Sequence, residues 1–318
     1  MMGEASFRAP FAFLADRGGR GALAVLTETQ GPAYRSAGSV MAIGEDGSRV
    51  GSLSSGCIEA DIALQAAQAR TDGRARVLRY GAGSPFADLR LPCGGAMTVL
   101  VVPDPDPAPL RAALVRTAAR RLATLTIDPE SGRMSCMDPA PAPGLHVTCP
   151  PETRVLVPGA GAEARFFAAL AHAAGYIVEV FTPEEETLRA ASALGVSAKG
   201  LSTLDAWAPG PLDPWTAVVL FFHDHDREPA LLAAALASHA FYVGAQGSRK
   251  AHDDRLATMR AAGVAETDLR RLRSPIGVTP STRDPRALAI SVLADISAAA
   301  PATQTILGAG GAVAADPA

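Results

Sequence analysis

No block of lysine and arginine interrupts this sequence, no apolar run is long enough to cross a bilayer, and no two of its cysteines stand in C-x-x-C spacing. Each absence removes a class of function. With Lys+Arg 29 against Asp+Glu 32 and a formal net charge of −3, nothing resembles the basic stripe that tracks a phosphodiester backbone, which argues against a nucleic-acid partner. The longest apolar stretch, Ala230 to Ala245, is broken by Ser238 and His239 and is shorter than the roughly 20 residues a membrane span needs. It reads instead as a buried helix followed by a strand. The opening MMGEASFRAPFAFLADRGGRG has no continuous apolar region followed by a small-residue cleavage site, so the chain is expected to start near Met1 and to work in the cytoplasm. Four cysteines, Cys57, Cys93, Cys136 and Cys149, without a disulfide-like pattern are expected to be reduced thiols. Without C-x-x-C spacing a structural zinc site is not expected.

A chain of 318 residues exceeds what one hydrophobic core usually organises, and two domains are expected. The first, residues 1–140, reads as mixed α/β. ALAVLTET (22–29) and SVMAIG (39–44) have strand composition, and an Asp-Gly turn at 45–47 makes a hairpin with the segment that follows. From Cys57 to Ala69 the pattern is helical, with Ile58, Ile62 and Ala66 at four-residue steps, so Cys57 is expected in the first helical turn. AMTVLVVP (96–103) is a strand, Leu110 to Arg121 a helix, and ATLTID with SGRMSCM a second hairpin. The segment 138–152 is proline-dense and aperiodic, as an interdomain linker would be. Over 153–300 short apolar strands alternate with helices, which implies a Rossmann-like domain with a mainly parallel sheet covered on both faces. Its first helix is expected to bury Phe166, Leu170 and Ala173. Residues 301–318, rich in Ala, Gly and Pro, are expected to be a flexible tail.

Three regions carry chemistry. GSLSSGCIEAD (51–61) and LPCGGAM (91–97) each set a cysteine beside glycine. Cys57 at a helix start would have its thiolate favoured by the helix dipole, and Glu59 could cap that helix or act on a ligand. Cys93, followed by Gly94 and Gly95, has two unobstructed amides beside it, which suits an anion or a soft metal bound by the thiolate. A buried small hydrophobe for Cys57 and a plain tight turn for Cys93 are the alternatives. In VLVPGAGAEA (155–164), Gly159, Gly161 and Ala164 fit G-x-G-x-x-A between a strand and a helix, where helix amides can bind a phosphate. The position where NAD-binding domains carry an acidic ribose contact is Thr182 here. His223, Asp224 and His225 follow an apolar strand at its carboxyl end, where open α/β sheets bind ligands. Acid/base, metal-ligand and capping roles are all open for them. GAQGSRK (244–250) offers Ser248 as a cap and Arg249 and Lys250 as anion contacts. Cys136 and Cys149 have no neighbours of interest.

GSLSSGCIEAD, LPCGGAMTVLVVP, VLVPGAGAEA, FFHDHDRE, FYVGAQGSRK and RSPIGV, in that order between Phe11 and Ala298, resemble the accessory factors of xanthine dehydrogenase and carbon monoxide dehydrogenase, the XdhC/CoxI family. The resemblance implies a maturation chaperone, without turnover of its own, that binds molybdenum cofactor as molybdopterin or its cytosine dinucleotide. Such a protein protects the cofactor during sulfuration and delivers it to a molybdenum hydroxylase apoenzyme. It further implies a cysteine desulfurase as a second partner and a homodimer. By motif, Cys57 and Cys93 become cofactor contacts, Cys93 a contact to molybdenum, and the glycine loop the holder of a phosphate or dinucleotide portion. Ser55 departs from the glycine common before Gly-Cys. The competing expectations are an NAD(P)-dependent oxidoreductase that uses His223 or His225, and a purely structural partner of the dehydrogenase.

Overall fold

A computed structural model describes residues 6–56, 58–82, 84, 94–136, 143–201, 207, 209–222, 228–279, 282–301 and 306–308. The chain divides into two compact units, Met1–Pro151 with Ala302–Ala318, and Glu152–Pro301.

Unit 1 runs α1 (Arg8–Asp16), β1 (Ala22–Gln30), β2 (Val40–Ile43), β3 (Arg49–Gly51), α2 (Glu59–Asp72), β4 (Arg76–Gly81), β5 (Ala96–Pro103), α3 (Pro107–Ala118), β6 (Ala123–Ile127), β7 (Met134–Cys136) and β8 (Leu145–Cys149). The first five strands form an antiparallel sheet in the order β3-β2-β1-β5-β4. Side chains alternate across a strand, and both faces of this sheet are covered. Ala22, Ala24 and Leu26 pack with Ile62, Ala66 and Ala69 of α2. Leu23 and Val25 pack with Phe11 and Leu14 of α1 and Leu110 and Ala113 of α3. That double cover is why ALAVL is apolar at every position. Helix α2 has Glu59 and Asp61 in its first turn and Arg70 in its last, and Gly73 ends it with a left-handed cap, all favourable to the helix dipole and terminus. Fully burying Ile62 alone contributes about 2 kcal/mol.

The structure departs from the sequence reading in unit 1 at four places. Helix α2 begins at Glu59 with Ile58 as its N-cap, so Cys57 precedes the helix instead of lying in its first turn, and Cys57 itself is outside the described residues. Helix α1 and strand β4 carry no signal that the sequence analysis used. The segment expected as a linker, 138–152, contains β8, paired antiparallel with β6. Prolines on either side hide its period of two, in which Leu145, Val147 and Cys149 are buried. Cys149 is thus a core residue, and burial pushes its thiol well above the ordinary range. Finally, the tail expected to be flexible over 301–318 returns to unit 1. Ile306–Gly308 forms β15, antiparallel to β8, in the sheet β15-β8-β6-β7, where it pairs backbone groups that β8 would otherwise present as an open edge.

Unit 2 runs β9 (Arg154–Pro158), α4 (Gly161–Ala173), β10 (Ile177–Thr182), α5 (Glu185–Ala193), β11 (Ser197–Gly200), β12 (Thr216–Leu220), α6 (Glu228–Leu236), β13 (Tyr242–Ala245), α7 (Arg249–Ala261), α8 (Glu266–Leu269), β14 (Leu272–Arg273) and α9 (Pro285–Ala299). Its six strands are parallel in the order β11-β10-β9-β12-β13-β14. This is the doubly wound arrangement, with the strand order reversing between β9 and β12. One face packs on α4 and α9, the other on α6, α7 and α8, so the mixed α/β fold with a Rossmann-like sheet is present. Helix α4 buries Ala164, Phe167, Ala168 and Ala171. Phe166, expected inward, is 45% exposed, because the i, i+3, i+4, i+7 stripe starts at Ala164.

Candidate functional site

In unit 1 the C-terminal ends of β1, β3 and β4 and the N-terminal ends of β2 and β5 lie at one end of the five-stranded sheet, as the pairings Gln30↔Ala96, Gly81↔Ala96 and Met41↔Gly51 require. The β3–α2 and β4–β5 connections, which contain Cys57 and Cys93 in sequence, therefore leave the same end. The Tyr80 hydroxyl donates to Asp61 Oδ2 at 2.6 Å, which ties the start of α2 to the end of β4. Burial and that carboxylate push the Tyr80 phenol far above its ordinary value.

Glu59 organises the loop before α2. Its Oε1 accepts from Ser52 Oγ at 2.8 Å, Leu53 N at 3.2 Å and Ser54 N at 2.8 Å. Its Oε2 accepts from Ser54 Oγ at 2.5 Å, Gly56 N at 2.9 Å and Ile58 N at 3.3 Å. Burial raises the carboxyl's proton affinity, but the hydrogen bonds from Ser54 and Ser52 outweigh it and hold the pKa at about 2. Ser55 has φ of 60°, a left-handed conformation that glycine adopts without strain.

The glycines after Cys93 have different reasons. Gly94 has φ of +72° with open space around it, whereas a Cβ on Gly95 would lie 2.2 Å from the Pro32 carbonyl oxygen. Protein backbone, not a ligand, occupies the space that Gly95 leaves. Cys93 is outside the described residues, as are His223 and His225. Among the described residues no group of three or more His, Cys, Asp or Glu is arranged to hold a metal ion.

In unit 2 the glycine loop sits where the strand order reverses. Gly159 N donates to Phe181 O and Ala160 N to Phe221 O, both at 2.9 Å. A Cβ on Gly159 would lie 2.6 Å from Phe221 O. Gly161 has φ of +84° and Ala164 is fully buried, so all three motif positions have steric reasons. The amide of Gly161 is already partnered: it donates to Glu184 Oε2 at 2.9 Å. Thr187 Oγ1 also donates to that oxygen, and Arg165 lies 3.4 Å from it. These contacts, that of Thr187 first, hold the Glu184 carboxyl below its usual range. An internal carboxylate thus stands at the helix terminus where a phosphate would bind. Ser248 caps α7, its Oγ accepting from Ala251 N at 3.2 Å, and Arg249 is the exposed first residue of that helix.

One buried side chain joins three of the sequence motifs. Arg255 of α7 donates through Nε to Glu228 Oε2, through Nη1 to Ser274 Oγ and through Nη2 to the Gln246 carbonyl, each at 2.8 Å. Glu228, Gln246 and Ser274, one residue from each motif, are thereby held together, and Gln246 and Ser274 directly follow β13 and β14 at the carboxyl edge of the parallel sheet, where open α/β sheets bind ligands.

Residues 14–81 match the XdhC and CoxI family, and residues 155–296 match the XdhC Rossmann domain. The chain is 34% identical over 293 residues to the molybdenum cofactor insertion chaperone PaoD of Escherichia coli (strain K12), a match covering 90% of this chain and 86% of that protein. The chain belongs to the XdhC and CoxI family. Unit 2 of this XdhC/CoxI protein contains the whole Rossmann match, while the first match takes in GSLSSGCIEAD and stops at Gly81, before LPCGGAM. The crystal structure of a xanthine dehydrogenase from Bacillus halodurans has a TM-score of 0.70 with it at 19% identity, over 92% of this chain and 95% of that one, which is a likeness of fold.

Sequence reasoning missed the residues that hold this XdhC/CoxI protein's loops. Glu184, the N-cap residue of α5 two positions beyond Thr182, was not singled out. Ser52 and Ser54 lie within GSLSSGCIEAD but were not singled out. Arg255 has no sequence signature at all, since Glu228, Ser274 and Gln246 lie 27, 19 and 9 residues away.

Proposed function

We propose that this protein is a molybdenum cofactor insertion chaperone. It holds the cofactor while the terminal sulfido ligand is installed and delivers it to a hydroxylase of the xanthine dehydrogenase, aldehyde oxidase or carbon monoxide dehydrogenase type. The reading is carried by the likeness, over 90% of the chain, to a molybdenum cofactor insertion chaperone. The geometry supports it through two loops, each with a cysteine in sequence, that leave one end of the unit 1 sheet. The cargo fits such residues chemically: a dithiolene-bound molybdenum calls for soft sulfur neighbours and a phosphate calls for helix amides. Cys57 and Cys93 are the proposed cofactor contacts, Cys93 toward molybdenum, and Gly159 and Gly161 hold the phosphate or dinucleotide portion once Glu184 yields the Gly161 amide. Ser248, Arg249, His223 and His225 are proposed as secondary contacts. A cysteine desulfurase as second partner, a homodimer and a cytoplasmic setting complete the reading. Among the described residues no helix is long and apolar enough to cross a membrane.

The test is direct. Protein purified from a cofactor-producing host is expected to release a fluorescent pterin on oxidation and to reconstitute an apo-hydroxylase, and Cys93→Ala is expected to lose both. A pterin-free wild type, with Cys93→Ala equal to it in reconstitution, refutes the proposal. An NAD(P)-dependent oxidoreductase would instead show saturable NADH binding abolished by Gly161→Val, and it leaves the two cysteine motifs without a purpose.

A further inference from the structure

We propose that Glu59 is a positioning residue for Cys57, fixing the backbone on both sides of that cysteine instead of touching the cofactor itself. The inference rests on the reading of Cys57 as a cofactor contact. Two observations separate it from the direct role that the sequence allows Glu59.

The first is saturation. A carboxylate offers about four lone-pair sites, and Glu59 accepts six bonds, all from residues 52–58 of its own loop. The residue is only 6% exposed. It has no acceptor capacity left for a ligand, and its charge would repel a phosphate or a dithiolene.

The second is where the bonds fall. Gly56 N and Ile58 N, the amides immediately before and after Cys57, both donate to Oε2. Two hydroxyls extend the hold. Ser54 Oγ donates to Oε2 and accepts from Ile58 N at 3.1 Å, while Ser52 Oγ donates to Oε1 and accepts from Ser55 N at 3.0 Å. Leu53 and Ile58 anchor the two ends of the loop in the core, but between them Ser55 and Gly56 are consecutive left-handed residues with φ of 60° and 108°, a turn whose amides water would satisfy equally well if the carboxylate were gone. The charge also faces the amino end of α2, where it is favourable, so folding of the helix and setting of the loop depend on one group.

The experiment uses full-length protein. In Glu59→Gln the amide nitrogen would face donors, so bound pterin is expected to fall at least about tenfold while unfolding stays cooperative. Hydrogen exchange in a peptide covering 52–62 is expected to rise. Glu59→Asp keeps the charge on a shorter arm and is expected to recover part of the binding. Wild-type pterin content in Glu59→Gln, or no recovery in Glu59→Asp, overturns the inference. Cys57→Ala separates it from the reading beneath it: if that variant keeps its pterin, the assignment of Cys57 fails first. Maleimide labelling of cofactor-free protein, mapped by peptide, tests the positioning independently. Labelling at Cys57 is expected to accelerate at least about fivefold in Glu59→Gln and to stay unchanged at Cys136, and an unchanged rate at Cys57 overturns the proposal. Should Glu59→Gln fail to fold, Ser54→Ala removes one donor to Oε2 and the second acceptor of Ile58 N, and the same changes are expected at smaller size. Labelling at Cys57 that is unchanged there overturns it equally.

Discussion

Replacing Arg255 by methionine is expected to be among the most damaging single changes in unit 2, although the two side chains are close in length. Arg255 is 4% exposed and its partner Glu228 is fully buried. Breaking such a buried pair by removing one member costs about 3–5 kcal/mol. Ser274 Oγ and the Gln246 carbonyl each lose a hydrogen bond as well, adding about 1 kcal/mol apiece. Against a typical total of about 5–15 kcal/mol for a domain, unit 2 would be brought near its threshold, and its midpoint of thermal unfolding would drop by roughly 10–20 °C. Both tryptophans, Trp207 and Trp215, belong to unit 2, so urea unfolding followed by tryptophan fluorescence reports on this unit. Arg255→Met with Glu228→Gln is expected to be less damaging than the sum of the singles by about 2–4 kcal/mol, since neither charge is then stranded. A loss under about 1 kcal/mol in Arg255→Met, or strict additivity in the double variant, refutes the reasoning.

Gly95→Ala is expected to destabilise unit 1 by at least about 2 kcal/mol, because its methyl would meet the Pro32 carbonyl at 2.2 Å; Gly94→Ala meets no such wall, and circular-dichroism melts compare the two. Glu59 has a depressed pKa in the folded chain, so its contribution is complete above the unfolded value of about 4.5 and is lost as pH falls toward about 2. The shift corresponds to about 3 kcal/mol, and acid titration of wild type against Glu59→Gln should show unit 1 losing that difference over this window. Glu184→Gln is expected to change stability by about 1 kcal/mol, as a partly exposed pair should, while inorganic pyrophosphate binds more tightly by calorimetry once the Gly161 amide loses its charged partner.

How much of this was legible depended on the range of the interactions. The parallel sheet of unit 2 announced itself because VLVP, YIVEVF, TAVVLFF and AFYVGA are continuous apolar runs spaced by helices. The hairpins β2–β3 and β6–β7 were legible from their turns. Strand β8 was not, since its five residues carry only two periods of alternation between prolines, and its pairing partners are set by β6 and by the end of the chain. At the site, local chemistry was readable and tertiary chemistry was not. Gly161 could be placed from its motif, but Gly95 had been read as an approach for a ligand and proved to be an approach for the backbone at Pro32. Glu59 was visible as a candidate, yet its role depends on six donors that only the folded loop assembles.

The return of β15 to β8 makes residues 152–301 an insertion between neighbouring strands of another unit. Two covalent tethers therefore join the halves, and a single protease nick in either one leaves them connected. A recombinant fragment that stopped at Pro151 would expose the outer edge of β8, an invitation to intermolecular strand pairing. A soluble version of the cysteine-bearing half calls for splicing the Ile306–Gly308 strand back onto it.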